Sequence, residues 1–297
     1  RRVLFRSHFS QAKERPEATG RMREVFNSLM NLQTYIVSEE RFRDPKNRSV
    51  IEKDLKTLNQ VKHAFPKKML DEEPGLAAIA KLYSEYISDT HLQFSKGNVD
   101  YARNRLRTVS AFCLNCHTRV TTEKSFVDFQ NRLEKGDFSL FEKAEMAAAT
   151  RQFDKAISQY RELLSVPPKN EWGVIQYSRA LRHAINVAVR VKKDPDLSQE
   201  ILDQVSKMKD LPEFVQDYVV QWKKEVAVWK SEKKEEEVKG AKAIAKARTL
   251  IEKATSAQAF PADENSDISL LRATHYLHEA LDEKPNSDRS EEHTSEL

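Results

Sequence analysis

Four successive stretches of this chain carry apolar residues at alternating spacings of three and four, the period of one helix face. The first stretch, about 20–40, runs Met22, Phe26, Leu29 and Ile36, with Gln33 on the same line, and Thr19 is placed to cap it. The second, about 49–64, runs Ile51, Leu55, Leu58, Val61 and Phe65 and stops at Pro66. The third, about 74–95, opens on Pro74 and closes on Lys96-Gly97-Asn98, with Leu76, Ile79, Tyr83, Tyr86 and Thr90 inward. The fourth, about 99–120, runs Ala102, Leu106, Val109, Cys113, Cys116 and Val120. A period this regular leaves little room for strands. Only 6 glycines in 297 residues and a charged fraction of 32% agree with helices that have solvated faces.

Short connections between such helices favour an antiparallel, up-down-up-down bundle. In that arrangement the end of the fourth helix lies beside the start of the first and the end of the second. His117 is then expected near Met22, His63 and Phe65.

The two cysteines of the chain stand in the string Cys113-Leu114-Asn115-Cys116-His117. C-x-x-C-H is the attachment signature of a c-type haem. Two thiols three residues apart share a helix face and reach one porphyrin edge, and the next imidazole ligates the iron. A thioredoxin-like redox pair also uses C-x-x-C, but in a strand–helix setting that is not seen here. A zinc site would need a fourth ligand, and no second ligand pair follows. A chance C-x-x-C in a helix is the plain alternative. Haem c, covalent and one per chain, is the expectation.

Residues 1–7 and 289–297 are read as adapter-derived ends. One DNA string encodes Arg1–Ser7, and its reverse complement encodes Arg289–Ser295 in frame. They are left out of fold reasoning, and an export signal is not visible in what remains. The expected division is 8–122 as a haem-bearing bundle, 123–136 as a connector and 137–288 as a second helical domain, expected to be truncated. Formal charge is +4, a mild balance that gives no reason to invoke nucleic acid. No apolar run approaches the roughly 18 residues that span a bilayer, and membrane association is left open.

Four helices with C-x-x-C-H near the end of the last resemble the cytochrome c-prime group, including its low-spin relatives. The resemblance rests on Arg21-Met22-Arg23-Glu24-Val25-Phe26-Asn27-Ser28-Leu29-Met30 in the first helix and on Cys113–His117 in the last. It covers about 15–121. It implies that His117 is the proximal iron ligand. The family usually follows the histidine with an aromatic-Arg pair, whereas this chain has Thr118-Arg119-Val120, so a haem-side role for Arg119 is in doubt. The opposite face decides function. A thioether there gives low-spin iron suited to electron transfer, and an apolar face leaves iron open to a small gas. Met22, one turn into the first helix, is the candidate sixth ligand; the competing reading is core packing. Met30 is expected to pack, His63 to sit at the rim, His91 at the far end, and Met69 in a loop.

The second half reads as helical hairpins. Stretches 138–150 and 153–165 end in Pro167-Pro168 and resemble a tetratricopeptide unit, with Ala144, Ala147 and Ala156 where helices approach closely. Tyr160, Leu163 and Pro168 continue the pattern. Ala273, Leu277, Ala280 and Pro285 repeat its offsets. Helices are expected at 172–191, 197–208 and 212–229, and 230–239 reads as a solvated charged extension. With few repeats in view, Leu270, Leu271, Tyr276 and Leu277 are expected to be partly uncovered. Stacked hairpins build a concave surface for a protein partner.

The fold class is therefore all-α, a four-helix bundle followed by a tetratricopeptide-like array. The expected function is a periplasmic c-type monohaem protein for one-electron transfer, not an enzyme, docked to a redox partner protein by its repeats. A five-coordinate sensor of a small gas ligand is the alternative, and a haem-free structural adaptor is the second.

Overall fold

The computed structural model describes residues 16–63, 74–118, 138–232, 240–256 and 268–282, with positions 70, 134 and 136 besides. Residues 1–15 and 283–297 (Pro285 among them), most of 123–136, and Phe65, Met69, Arg119 and Val120 lie outside the described residues. Every regular element among the described residues is helical, so the all-α expectation holds. The chain divides into two compact units, Arg1–Thr108 and Val109–Leu297.

The first unit begins with α1 (Pro16–Ile36), α2 (Glu39–Arg43) and α3 (Arg48–Asn59). It continues with α4 (Pro74–Ser95) and α5 (Val99–Leu106). A single helix over 20–40 was the expectation. It ends earlier because the Ser38 side chain accepts from the Arg41 N–H and caps a new five-residue helix. Helix α1 packs on α3, α3 on α4 and α4 on α5. The predicted inward residues Phe26, Leu29, Ile36, Ile51, Leu55, Leu58, Tyr83, Ala102 and Leu106 are all buried, as is Gln33. Helix α4 stops as expected. Gly97 turns left-handed at φ 91°, its N–H bonds the Phe94 carbonyl, and the Asn98 N–H bonds that of Gln93.

The expected fourth helix, 99–120, is two helices. Helix α5 ends at Leu106, and α6 (Ser110–His117) starts after a turn. Both the Thr108 N–H and the Thr108 hydroxyl bond the Arg105 carbonyl, at 3.0 and 2.9 Å. The Tyr86 hydroxyl reaches Thr108 Oγ1 at 2.6 Å and the same carbonyl at 2.8 Å. These three-residue bonds tighten the last turn and end the α pattern. The division between the units falls here, so the cysteine motif belongs to the second unit, whereas the sequence boundary falls after residue 122.

The second unit continues through α7 (Leu140–Ala149), α8 (Phe153–Leu164) and α9 (Glu171–Asn186). A capping box between Ser139 and Glu142 starts α7. Helix α9 runs into a π-helical turn, Val187–Lys192, which Lys193 closes in left-handed conformation at φ 52°. Then come α10 (Pro195–Ser206), α11 (Glu213–Ser231), α12 (Gly240–Ser256) and α13 (Ile268–Asp282).

Neighbours in sequence pair: α6 with α7, α7 with α8, α8 with α9, α10 with α11, and α12 with α13. Ala144, Ala147, Ala156 and Tyr160 have no solvent exposure, the close approach expected of them. Leu271 and Tyr276 are buried rather than uncovered, because α13 packs on α12 through Ala243, Ala247 and Leu250 and also on the π turn. Leu270 is half-buried and Leu277 is 38% exposed, as expected of them. Among the described residues no helix is long and apolar enough to cross a membrane.

Candidate functional site

Helix α6 carries the motif and is only eight residues long. Its fully buried positions are Ser110 and Leu114, and Thr118 just beyond its end is buried too. These three are four apart and form one line along the helix. Leu114 enters the main apolar core of the second unit. Cys113, Cys116 and His117 flank that line and are half-buried. The expectation that the cysteines continue the buried seam is therefore corrected. The turn at 107–109 ends the fourth stripe, and a different face of α6 packs.

Neither cysteine is in a disulfide. Cys113 Sγ lies 4.0 Å from the Val109 carbonyl oxygen. Burial, then the neighbouring Cys116 and the Glu145 charge, pushes the Cys113 thiol up to about 12. That is the opposite of a dithiol redox motif, which depends on a depressed thiol pKa. Burial, with the Arg151 charge second, pulls the His117 imidazole down to about 4, against a hydrogen bond with the Ala149 backbone. His117 Nδ1 is buried without a hydrogen-bond partner. A neutral imidazole is the form that binds a metal.

Arg151 occupies the turn between α7 and α8 with a left-handed backbone, φ 60°. Its guanidinium is within electrostatic reach of Cys116 and His117, and burial lowers its pKa. A non-glycine residue in this conformation stores strain that the surrounding packing must hold.

The most heavily bonded group near α6 was not singled out from sequence. Glu145, on α7, is 4% exposed. Its Oε1 accepts from the Tyr160 hydroxyl at 2.6 Å and pairs with His183 Nδ1 at 2.6 Å. Its Oε2 accepts from the Ser110 hydroxyl at 2.5 Å and from Arg179 at 3.2 Å. Burial alone would raise its pKa. The charges of His183 and Arg179 and the hydrogen bonds from His183 and Ser110 outweigh this and hold it at about 2. The sequence signal was a carboxylate inside the run Ala144–Ala149, where an apolar residue would pack.

The remaining sequence candidates belong to the first unit. Met22 is half-buried on α1 of the first unit, while His117 belongs to the second. Met30 is fully buried core, as expected. His91 pairs with Glu52 at 3.8 Å. His63 closes a short 3-10 turn, and its side chain lies outside the described residues. Among the described residues no group of three or more His, Cys, Asp or Glu side chains is arranged to hold a metal ion.

The motif fits a covalent haem on three counts. Two thiols outside any disulfide sit three apart on one helix, they are half-buried, and a neutral imidazole next to them has an unpartnered ring nitrogen, Nδ1. No protein-family model matches the chain, and no curated protein or solved structure matches it.

Proposed function

We propose that this chain is an exported c-type monohaem protein that transfers one electron and docks to a redox partner protein through its helical hairpins. The observation that carries this reading is the string Cys113-Leu114-Asn115-Cys116-His117 on one short helix, with neither thiol in a disulfide and the imidazole neutral. Cys113 and Cys116 would bind the porphyrin through thioethers, and His117 would hold the iron. Bound haem supplies a one-electron couple whose potential depends on axial ligands and burial. The chain's own residues do the rest. Leu114 and Thr118 seat the helix, and Arg151 sets positive charge beside the motif. Helices α7 to α11 supply stacked faces of the kind that bind protein partners. Met22 is the proposed second axial ligand, and the periplasm is the proposed compartment, where such attachment takes place.

Expression with an export leader and a haem-maturation system tests this. The expected product carries the added mass of one haem and shows a low-spin ferrous spectrum with a methionine–iron band. Met22→Ala is expected to abolish that band and lower the potential, and an unchanged spectrum removes Met22 from the ligand set. A high-spin spectrum that shifts with carbon monoxide would favour the gas sensor. Bare thiols would leave the structural adaptor and end the haem reading.

A further inference from the structure

The buried carboxylate of Glu145 has no part in the chemistry proposed above, yet it touches the motif helix at its first turn. Helix α6 is short, and its packing line offers one large apolar side chain, Leu114. Thr118, the third position of that line, spends its hydroxyl on the Leu114 carbonyl of α6 itself. The bond that ties the line to another helix is that of Ser110, one turn before Leu114, which gives its hydroxyl to Glu145 Oε2 at 2.5 Å. Glu145 is itself held on the far side. Tyr160 of α8 and His183 of α9 both bond Oε1, and Arg179 of α9 bonds Oε2. The Arg179 guanidinium also lies 3.5 Å from Ser110 Oγ and packs over the Phe141 ring at 5.1 Å. A carboxylate with each oxygen bonded twice is fixed in position, so the hydroxyl it accepts is fixed too.

Resting on the haem reading, we propose that Glu145 is a positioning residue that, through Ser110, sets the rotation of α6 so that Cys113, Cys116 and His117 hold one common orientation. Buried ion clusters rarely add net stability over an apolar replacement. What such a cluster supplies is a direction, and here the direction is that of the helix bearing the thiols. Ser110 and Cys113 are three residues apart, so rolling α6 about its axis moves both together.

The test measures alkylation rates of Cys113 and Cys116 in the unloaded full-length chain, resolved by peptide mass spectrometry. Ser110→Ala removes the tether and keeps the carboxylate. It is expected to speed alkylation by about tenfold or more, the factor that loss of one charge-assisted hydrogen bond gives a local opening. Tyr177→Phe is the control. It removes another buried hydroxyl bond of the same unit, to the Leu164 carbonyl at 3.0 Å, without touching α6. Rates in Ser110→Ala no higher than in Tyr177→Phe overturn the proposal. In haem-loaded protein, Ser110→Ala and Glu145→Gln are expected to shift the electron paramagnetic resonance g values, and spectra identical to the parent's overturn it as well. Should no haem attach to the parent chain, the haem reading fails while the thiol rates still decide the positioning role.

Discussion

In the first unit, Arg43 clasps Asp100 through two bonds, at 2.8 and 2.6 Å, with both side chains more than half exposed. In the second, Glu145 collects four bonds where almost no solvent reaches. The first unit keeps this pair in solvent, and the second builds its cluster into an interior. The first can exchange such a pair for water at little cost. The second cannot, because removing one partner leaves the others charged and dry. The pair at Arg43 therefore decorates its unit, whereas the cluster at Glu145 organises its own.

The contrast breaks most readily at Glu145. Glu145→Ala is expected to cost about 3–5 kcal/mol in urea unfolding, because Arg179 loses its counter-charge and Tyr160, His183 and Ser110 lose their buried partner. A loss near zero would show that water fills the site and that the cluster does not organise the unit. In the first unit the equivalent damage needs an apolar residue. Leu55→Ala, at a position with no exposure, is expected to cost about 2–5 kcal/mol through the cavity it leaves.

Acid should separate the units next. In the fold Glu145 stays ionised down to about 2, against an ordinary value of 4.5. The stability it contributes is complete above the ordinary value and is lost as pH falls from there through the folded value, on the order of a few kcal/mol. Circular dichroism melts between neutral pH and pH 2 should show this loss in the parent chain and a flatter profile in Glu145→Gln. At the small end, Asp100→Ala should leave the urea midpoint of the first unit unchanged within error. A clear drop there would erase the comparison from the other side.

What could be read from sequence follows the same line. Helix α4 was legible from end to end, because Pro74 and Gly97 are local signals with fixed backbone consequences. The inward residues of α1 and α3 were legible from spacing alone. The break at 107–109 was not, because it depends on Tyr86 meeting Thr108, a contact between helices. Helix α12 was missed behind the charged run before it. Glu232 at the edge of that run is bonded by Arg272 at 2.6 Å and Lys246 at 2.9 Å, so part of the run ties elements together. The motif itself was plain in the string of residues. Its bearing was not, because which face of α6 packs is decided by Ser110 and Glu145, 35 residues apart.

The π-helical turn at Val187–Lys192 has a consequence for how this chain tolerates change. Such a turn holds one residue more than a regular α-helical turn, and each residue advances an α-helix by about 100°. Deleting a single residue there would restore ordinary winding, and because the wide turn had absorbed that residue, the side chains beyond it would keep nearly the same direction. Val187, Ala188 and Val189 face the interior, so the cost would fall on this stretch itself. The turn is thus a place where a lost codon can be taken up without misaligning the hairpins on either side.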